Sequence, residues 1–516
     1  MDTPLPTPGE MAHWDHRAIH EAGLLGELLM ENASREALRV LCSRGPQPEG
    51  SFILFFAGSG NNGGDAFALA RQAHDLGANC LVLHTRDLEE YKGEALYHAR
   101  LCRDCGVDTA RLGEVDLKAL PLPDAVVDGL LGTGFTGQLR QDYLDWIDWI
   151  NRVGQSAFVL ALDIPSGLSG ESGMPGGDAV RAHCTVTFQA AKTGLFFPQA
   201  AKYLGELHTA SIGIPRWIRQ ESPPSVFGIN EEVFDHLPRP DPLMHKGKAG
   251  HVLIIGGSPA LSGAPALAGL GALRAGAGLV TVACPEGISG EIKQSIPEMM
   301  SLPIDSQLAW SRQAFSALGK ELSGFDAVVL GPGMGRDSGA LEFVRSYLKG
   351  TCLPTVLDAD ALFALAQEKE LLSNLSREDV ITPHPGEMGR LQDTGTDQVQ
   401  ADRIATARKA AREAGCGVVL KGAGSVVSHP EYADRLSPFS CFSLALGGSG
   451  DVLSGIIGSL LARGVPVLEA ACLGVYWHGK AGAALCSQYP WRGNLAREIA
   501  HELPRCINNQ VLERAI

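Results

Sequence analysis

The sequence predicts an α/β protein built from two doubly wound domains, and three observations predict it. Short apolar runs such as 51–57, 125–128, 327–330 and 418–420 recur along the chain, each too brief for a buried helix and each ending in a polar, turn-forming loop. Segments of helical periodicity lie between them, the alternation that builds parallel sheets. The 62 Gly are scattered without a collagen-like period, so they serve tight turns between strands and helices. At 516 residues the chain exceeds one ordinary core, which divides the series into domains.

Composition narrows the function. Hydrophobic content of 45% with 20% charged residues is that of a soluble globular protein. A formal charge of -15 argues against a nucleic-acid backbone or an anionic membrane surface as partner. Any polyphosphate ligand must then be held by backbone N–H groups, helix ends and metal ions. Of 12 Cys, only Cys102 and Cys105 form a CxxC pair, and no second pair completes a zinc site, so reduced thiols and a cytoplasmic address are expected. The start, Met1-Asp2-Thr3-Pro4-Leu5-Pro6, lacks a basic-then-apolar signal, and no apolar run approaches a membrane span.

In the first half, 13–41 has helical spacing through Ile19, Leu24, Leu25, Leu28, Leu29 and Met30. The strand 51–57 runs into Gly58-Ser59-Gly60-Asn61-Asn62-Gly63-Gly64-Asp65 and a helix at 66–76. Gly58, Gly60 and Gly63 satisfy GxGxxG, and Asp87 lies about twenty residues on, where a ribose-binding acid belongs in a nicotinamide dehydrogenase. The amides of Asn61 and Asn62 and the Asp65 carboxylate equally suit a hard cation, a ribose or a ring substituent, and a plain strand-to-helix turn is the third reading. A strand follows at 79–84, another at 125–128 with the loop from Gly129 to Gly137, a helix at 142–152, and a strand at 157–162 with Asp163-Ile164-Pro165-Ser166-Gly167. Parallel strands release their loops at one edge, so three strand ends deliver Asn62, Asp128 and Ser166 to one rim, with Asp65 and Asp163 beside them. That all-oxygen set fits a monovalent or other hard cation.

On the Asn61–Asp65 turn, Asp128-Gly129-Leu130-Leu131-Gly132-Thr133-Gly134 and Asp163-Ile164-Pro165-Ser166-Gly167, this half resembles the NAD(P)H-hydrate epimerase family, a Rossmann-like fold. The resemblance implies substrate binding by Asn61, Asn62, Gly63, Gly64 and Asp65, and by a second loop of Gly132, Thr133, Gly134, Phe135, Thr136, Gly137 and Gln138. It implies potassium ligands at Asn62, Asp128 and Ser166, and a substrate-binding, catalytic carboxylate at Asp163. Lys192 stands where the family carries a lysine; the alternative is a surface lysine. Ala66 departs from a position where the family commonly has Gly.

The stretch 214–244 is rich in Pro and without sustained period, so it reads as a linker, and the boundary is placed near Pro223, giving domains 1–222 and 223–516. His245-Lys246-Gly247-Lys248 precedes a strand at 251–255, a helix at 264–275 and a strand at 279–283. Further strand ends carry Gly331-Pro332-Gly333-Met334-Gly335, Asp358-Ala359-Asp360, Thr382-Pro383-His384-Pro385-Gly386-Glu387 and Lys421-Gly422-Ala423-Gly424-Ser425. The last motif, Gly447-Gly448-Ser449-Gly450-Asp451, opens an apolar helix. Its glycines let successive N–H groups converge on an anion, and the helix adds its positive end. A carboxylate there is repelled by phosphate, so Asp451 either caps the helix or takes the proton from a hydroxyl that attacks a phosphoryl group. His384 and Lys421 alone would be ordinary loop side chains; beside a glycine nest they supply a donor and a cation for a nucleotide phosphate.

These motifs resemble the ribokinase-like superfamily and, within it, the ADP-dependent NAD(P)H-hydrate dehydratases. The resemblance implies nucleotide contacts at Lys421, Gly422, Ala423, Gly424, Ser425 and Gly450. It implies substrate contacts at Ala264, Gly333, His384 and Asp451, with Asp451 as base. Leu446 departs from a common Thr. The combined resemblance implies a bifunctional repair enzyme for hydrated NADH and NADPH, with ADP as co-substrate, K+ in the first domain, Mg2+ in the second, and self-association of the chain. The alternative is a ribokinase-like small-molecule kinase with a non-catalytic N-terminal binding module.

Overall fold

The computed structural model describes residues 2–239, 241–304, 309–319 and 321–507. The chain forms two compact units, one of Pro4–Phe227 and one from Gly228 onward, which also takes in the residues before Pro4.

The first unit is built on a seven-stranded sheet in the order Asp108–Arg111, Asn79–His84, Phe52–Ala57, Ala125–Gly129, Phe158–Leu162, Cys184–Phe188, Glu206–Ala210, with every neighbouring pair parallel. Strand Phe52–Ala57 shows why a continuous apolar run becomes a central strand. Ile53 and Phe55 enter one core cluster while Leu54 and Phe56 enter another, so both faces of the period-two ribbon are covered. Helices Gly26–Arg44 and Asn61–Asp75 cover the first face, and helix Gln141–Val153 covers the second.

Three expectations change here. The helical spacing over 13–41 resolves into two helices, Pro8–His20 and Gly26–Arg44. A Thr7–Glu10 capping box with Pro8 at the first position starts the first helix, and Gly23, at φ 73°, turns the chain after it. The helix expected from 66 begins at Asn61, so the Asn61–Asp65 stretch is its opening turn rather than a loop before it. The stretch 214–244 carries a helix, Arg216–Glu221, and a strand, Val226–Ile229, that joins the larger sheet.

The second unit's sheet runs Asp2–Pro4, Val226–Ile229, Tyr432–Leu436, Val426–His429, Gly417–Leu420, Val380–Ile381, Thr355–Leu357, Ala327–Leu330, His251–Ile255, Leu279–Cys284, Met300–Pro303. It is parallel from Gly417–Leu420 to Met300–Pro303, and an antiparallel meander follows Gly417–Leu420. Helix Ser449–Ala462 is buried along almost its whole length. It packs on helix Gly263–Arg274 closely enough that a Cβ on Gly455 would lie 1.9 Å from the Ala268 carbonyl oxygen. This contact fixes where the start of Ser449–Ala462, and Asp451 with it, stands.

Candidate active sites

In the first unit the strand order reverses between Phe52–Ala57 and Ala125–Gly129, the place where open parallel sheets bind ligands. A cavity of about 680 Å³ opens there. Asn61, Asn62, Asp65, Gly132, Thr133, Gly134, Phe135, Thr136 and Asp163 all line it. Gly63, Gly64, Gly137 and Gln138 do not. Gly63 and Gly64 are buried in the helix, where Gly64 faces Met30 and Ala95, so packing explains these glycines. The Ala66 methyl is also buried, facing Gly129, and leaves the cavity unchanged. Asp87 is exposed, 3.5 Å from Arg111, and does not reach the cavity, which removes the ribose acid of the dehydrogenase reading.

Asp163 sits at φ 60°, a conformation that costs a non-glycine residue about 1–3 kcal/mol and persists only where the surroundings impose it. Its Oδ1 accepts from the Lys192 ammonium, from the Phe188 amide at 3.1 Å and from the Thr187 hydroxyl at 3.3 Å. Lys192 is 1% exposed and also donates to Thr187 Oγ1 and the Phe188 carbonyl, so it is no surface lysine. Asp15, from helix Pro8–His20, lines the same cavity. Burial, and secondarily the Asp163 charge, push it up to about 6 against the pull of Lys192. Asp65 is held well above the carboxylate range by burial and by the charges of Asp163 and Asp15.

The three oxygen-bearing residues from separate strand ends meet around Leu131. Asn62 Nδ2 donates to the Leu131 carbonyl at 2.8 Å, and the Leu131 amide donates to Ser166 Oγ at 2.8 Å. Asp128, fully buried, accepts from the Ser166 hydroxyl at 2.5 Å and from the Ser166 amide at 2.8 Å. Burial pushes its carboxyl up to about 6, the mark of an anion without a countercharge. Asn62 Oδ1 is buried with no hydrogen-bond partner among the described residues. An orphaned amide oxygen, a buried carboxylate, a hydroxyl and a carbonyl form a donor set that a hard monovalent cation satisfies.

In the second unit Asp451 stands in the first turn of helix Ser449–Ala462, whose start at Gly448 has no side-chain cap. Its carboxylate accepts no hydrogen bond among the described residues, so the capping alternative fails. Burial pushes it up to about 8, with Asp358, Asp360 and Glu387 adding to the shift and Lys421 opposing it. Beneath it, Lys421 Nζ lies 2.6 Å from Asp358 Oδ1, and Ser454 Oγ donates to Asp358 Oδ2 at 2.5 Å. Burial disfavours the Asp358 charge, but the Lys421 ammonium holds it below its usual range. Lys421 is thus partly neutralised rather than a free phosphate cation.

His384 caps helix Pro385–Gln392: its Nδ1 accepts from the Gly386 amide at 3.0 Å and the Glu387 amide at 3.4 Å. That places its proton on Nε2, and burial with the nearby Lys421 charge keeps the ring neutral. Ala264 and Gly333 are neighbours, since a Cβ on Gly333 would lie 3.1 Å from the Ala264 methyl. The loop of Lys421, Gly422, Ala423, Gly424 and Ser425 is held from behind by Arg403, whose Nη2 donates to the carbonyls of Leu420, Lys421 and Gly424. Leu446 packs against the core, so its side chain is structural. Sequence reasoning missed Asp15, Arg403, Ser454 and His478, the last a buried ring bonded to the Ser449 carbonyl at 3.1 Å. The acids Asp358, Asp360 and Glu387 were visible in the strand-end motifs but without a role.

A family model described as NAD(P)H-hydrate dehydratase matches residues 252–505, and one described as YjeF-related protein N-terminus matches residues 26–194. A bifunctional NAD(P)H-hydrate repair enzyme of Moorella thermoacetica is 37% identical over 522 residues, covering 98% of this chain and 97% of its own length. The enzyme of the same description from Escherichia coli is 35% identical, covering 97% of this chain and 93% of its own. Among solved structures, the ADP/ATP-dependent NAD(P)H-hydrate dehydratase of Bacillus subtilis, co-crystallised with ATP and Mg2+, aligns with 55% of this chain and 97% of its own at 28% identity and a TM-score of 0.45. Matched from end to end at this level, the chain belongs to the family of bifunctional NAD(P)H-hydrate repair enzymes.

Proposed function

We propose that the two units perform complementary steps in restoring NADH and NADPH hydrated at C6 of the nicotinamide ring. In the second unit Asp451 takes the proton of the C6 hydroxyl as that oxygen attacks the terminal phosphoryl group of ADP. The bond from that phosphorus to the bridging oxygen breaks and AMP leaves. The phosphate ester then departs from C6 while C5 gives up a proton, which regenerates the reduced nicotinamide and releases inorganic phosphate. Lys421, Gly422, Ala423, Gly424, Ser425 and Gly450 hold the nucleotide, and Ala264, Gly333 and the Nε2–H of His384 border the substrate. The amides at the start of Ser449–Ala462 face the developing charge. The nucleotide would enter with Mg2+, which neutralises phosphate charge and is held mainly by phosphate oxygens.

In the first unit the cavity holds the hydrated ring against Asn61, Asn62, Asp65 and the 132–136 loop, and Asp163 serves as the base that interconverts the R and S epimers. The Asn62, Asp128 and Ser166 oxygens would hold K+, which supplies positive charge beside the rim.

The observation that carries the reading is Asp451: an uncapped carboxyl at a helix start, raised toward neutrality and ringed by Asp358, Asp360 and Glu387. Phosphorus NMR of a reaction with the S hydrate and ADP tests it. The expected products are AMP and inorganic phosphate in equal amounts, with recovery of nicotinamide absorbance. A stable phosphorylated product would instead identify the small-molecule kinase, the rival that the end-to-end family match already disfavours.

A further inference from the structure

We propose that Asp15 is the proton donor of the first unit's site, working with Asp163 to invert C6 by opening and reclosing the hydrated ring. The proposal rests on the epimerase reading above and adds a catalytic residue and a route to it.

Asp15, Asp65 and Asp163 share one cavity but differ in company. Asp163 is compensated by the Lys192 ammonium, the Phe188 amide and the Thr187 hydroxyl. Asp15 and Asp65 accept no hydrogen bond from any described residue. Among the described residues that line the cavity Lys192 is the one cation, and Asp163 has taken it. Glu94, also on the wall, adds a further acid. A single ammonium cannot balance this many carboxylates in a partly closed space, so the uncompensated pair keeps its protons to higher pH than free carboxyls do. The directions agree: burial and the Asp163 charge raise Asp15 to about 6 and hold Asp65 well above the ordinary carboxylate range. An ionised and a protonated carboxyl facing one ligand make an acid–base pair. Between the two uncompensated groups, Asp15 is the better placed donor, because it stands half-buried on the cavity wall while Asp65 is buried in the opening turn of its helix.

The substrate's C6 bears both the added hydroxyl and N1, so it is a hemiaminal. Asp163 removes the hydroxyl proton, the C6=O bond forms, and the C6–N1 pair moves to N1, where it takes the proton of Asp15. The product is an open aldehyde with a secondary enamine, and neither oxidant nor reductant is needed. Rotation about C5–C6 presents the other aldehyde face to N1. The reverse transfers, N1–H to Asp15 and Asp163–H to the oxygen, close the ring in the opposite configuration and restore both groups.

The test uses the full chain, the separated R and S hydrates, and Asp15→Asn beside Asp15→Glu. Asp15→Asn should lower kcat for epimerisation about 10²–10⁴-fold with KM moved less than about threefold. It should also abolish the decline of kcat/KM as pH rises through about 6, since that limb reports loss of the Asp15 proton. Asp15→Glu, which keeps the acid, should recover to within about tenfold of the parent rate. ADP-dependent dehydration of the S hydrate should be unchanged in both variants. An oxygen label at C6 should survive inversion, because the C6–O bond is never broken. The proposal is overturned if Asp15→Asn keeps its kcat, if its loss lies in KM alone, if Asp15→Glu stays as slow as Asp15→Asn, or if the label washes out. If the unaltered chain fails to interconvert the epimers at all, the epimerase reading itself falls, a result distinct from each of these.

Discussion

Replacing Asp451 with Asn removes the ionisable group and keeps its size. If the carboxylate is the base that activates the C6 hydroxyl, kcat for ADP-dependent dehydration falls by about 10²–10⁴. The pH profile sharpens the test. With Asp451 raised to about 8, chiefly by burial, the free enzyme holds mostly the protonated form at neutral pH. The parent kcat/KM should therefore climb about tenfold per pH unit below that value and level off above it, and Asp451→Asn should lose this rise. Stability should move the other way. In the unfolded chain this carboxyl ionises near 3.8, so its ionisation favours unfolding progressively from there up to about 8, and the penalty is complete above. The full shift at 1.36 kcal/mol per pKa unit would be roughly 6 kcal/mol; with the group partly open to solvent, about 1–3 kcal/mol remains. Asp451→Asn should thus melt higher than the parent at about pH 8 and equally near pH 3, measured by calorimetry alongside the kinetics. A helix cap predicts no such gain, because Asn caps a helix about as well as Asp, and predicts a loss of about 1 kcal/mol for Asp451→Ala. An Asn variant that keeps more than about a tenth of kcat, or that melts lower at pH 8, refutes the base assignment.

Three further outcomes follow from the same geometry. Lys192→Met leaves the Asp163 carboxylate buried without its ammonium, so the first unit should lose about 3–5 kcal/mol in urea unfolding and epimerisation should fail. Epimerisation should depend on K+, and Asp128→Asn should weaken the apparent K+ affinity at least about tenfold, by the loss of the buried anion, with dehydration unaffected in a titration of each activity. Gly422→Ala combines a φ of 148° with a Cβ 2.8 Å from the Arg403 guanidinium; the nucleotide KM should rise while the epimerase rate stays at the parent level in steady-state assays.

What the sequence showed depended on how local the signal was. Asn62, Asp128 and Ser166 were legible because the edge rule for parallel strands places successive strand ends together whatever their separation in the chain. Strands Ala327–Leu330, Thr355–Leu357 and Val380–Ile381 were legible as short runs of apolar and β-branched residues. Strand Glu206–Ala210, at the edge of its sheet, mixes Glu, His and Thr with one buried Ala and gives no such run. Asp15 lies in an ordinary amphipathic helix, and only the tertiary packing turns it into a cavity. Arg403 opens a helix of Ala, Arg and Lys that reads as solvated, and its burial beneath the loop of Lys421 to Ser425 is a long-range fact. Lys192 stayed ambiguous for the same reason: a buried ion pair with Asp163 leaves no periodic trace.

The most direct measurement of two complementary active sites in one chain is a single time course. An equal mixture of R and S hydrates is incubated with the protein, ADP, Mg2+ and K+, and the absorbance of reduced nicotinamide is followed to completion. The account predicts that all the hydrate returns to NADH or NADPH, with one AMP and one phosphate for each. A curve that halts when the S form is exhausted and advances no faster than spontaneous epimerisation contradicts the role given to the first unit, and no recovery contradicts the role given to Asp451.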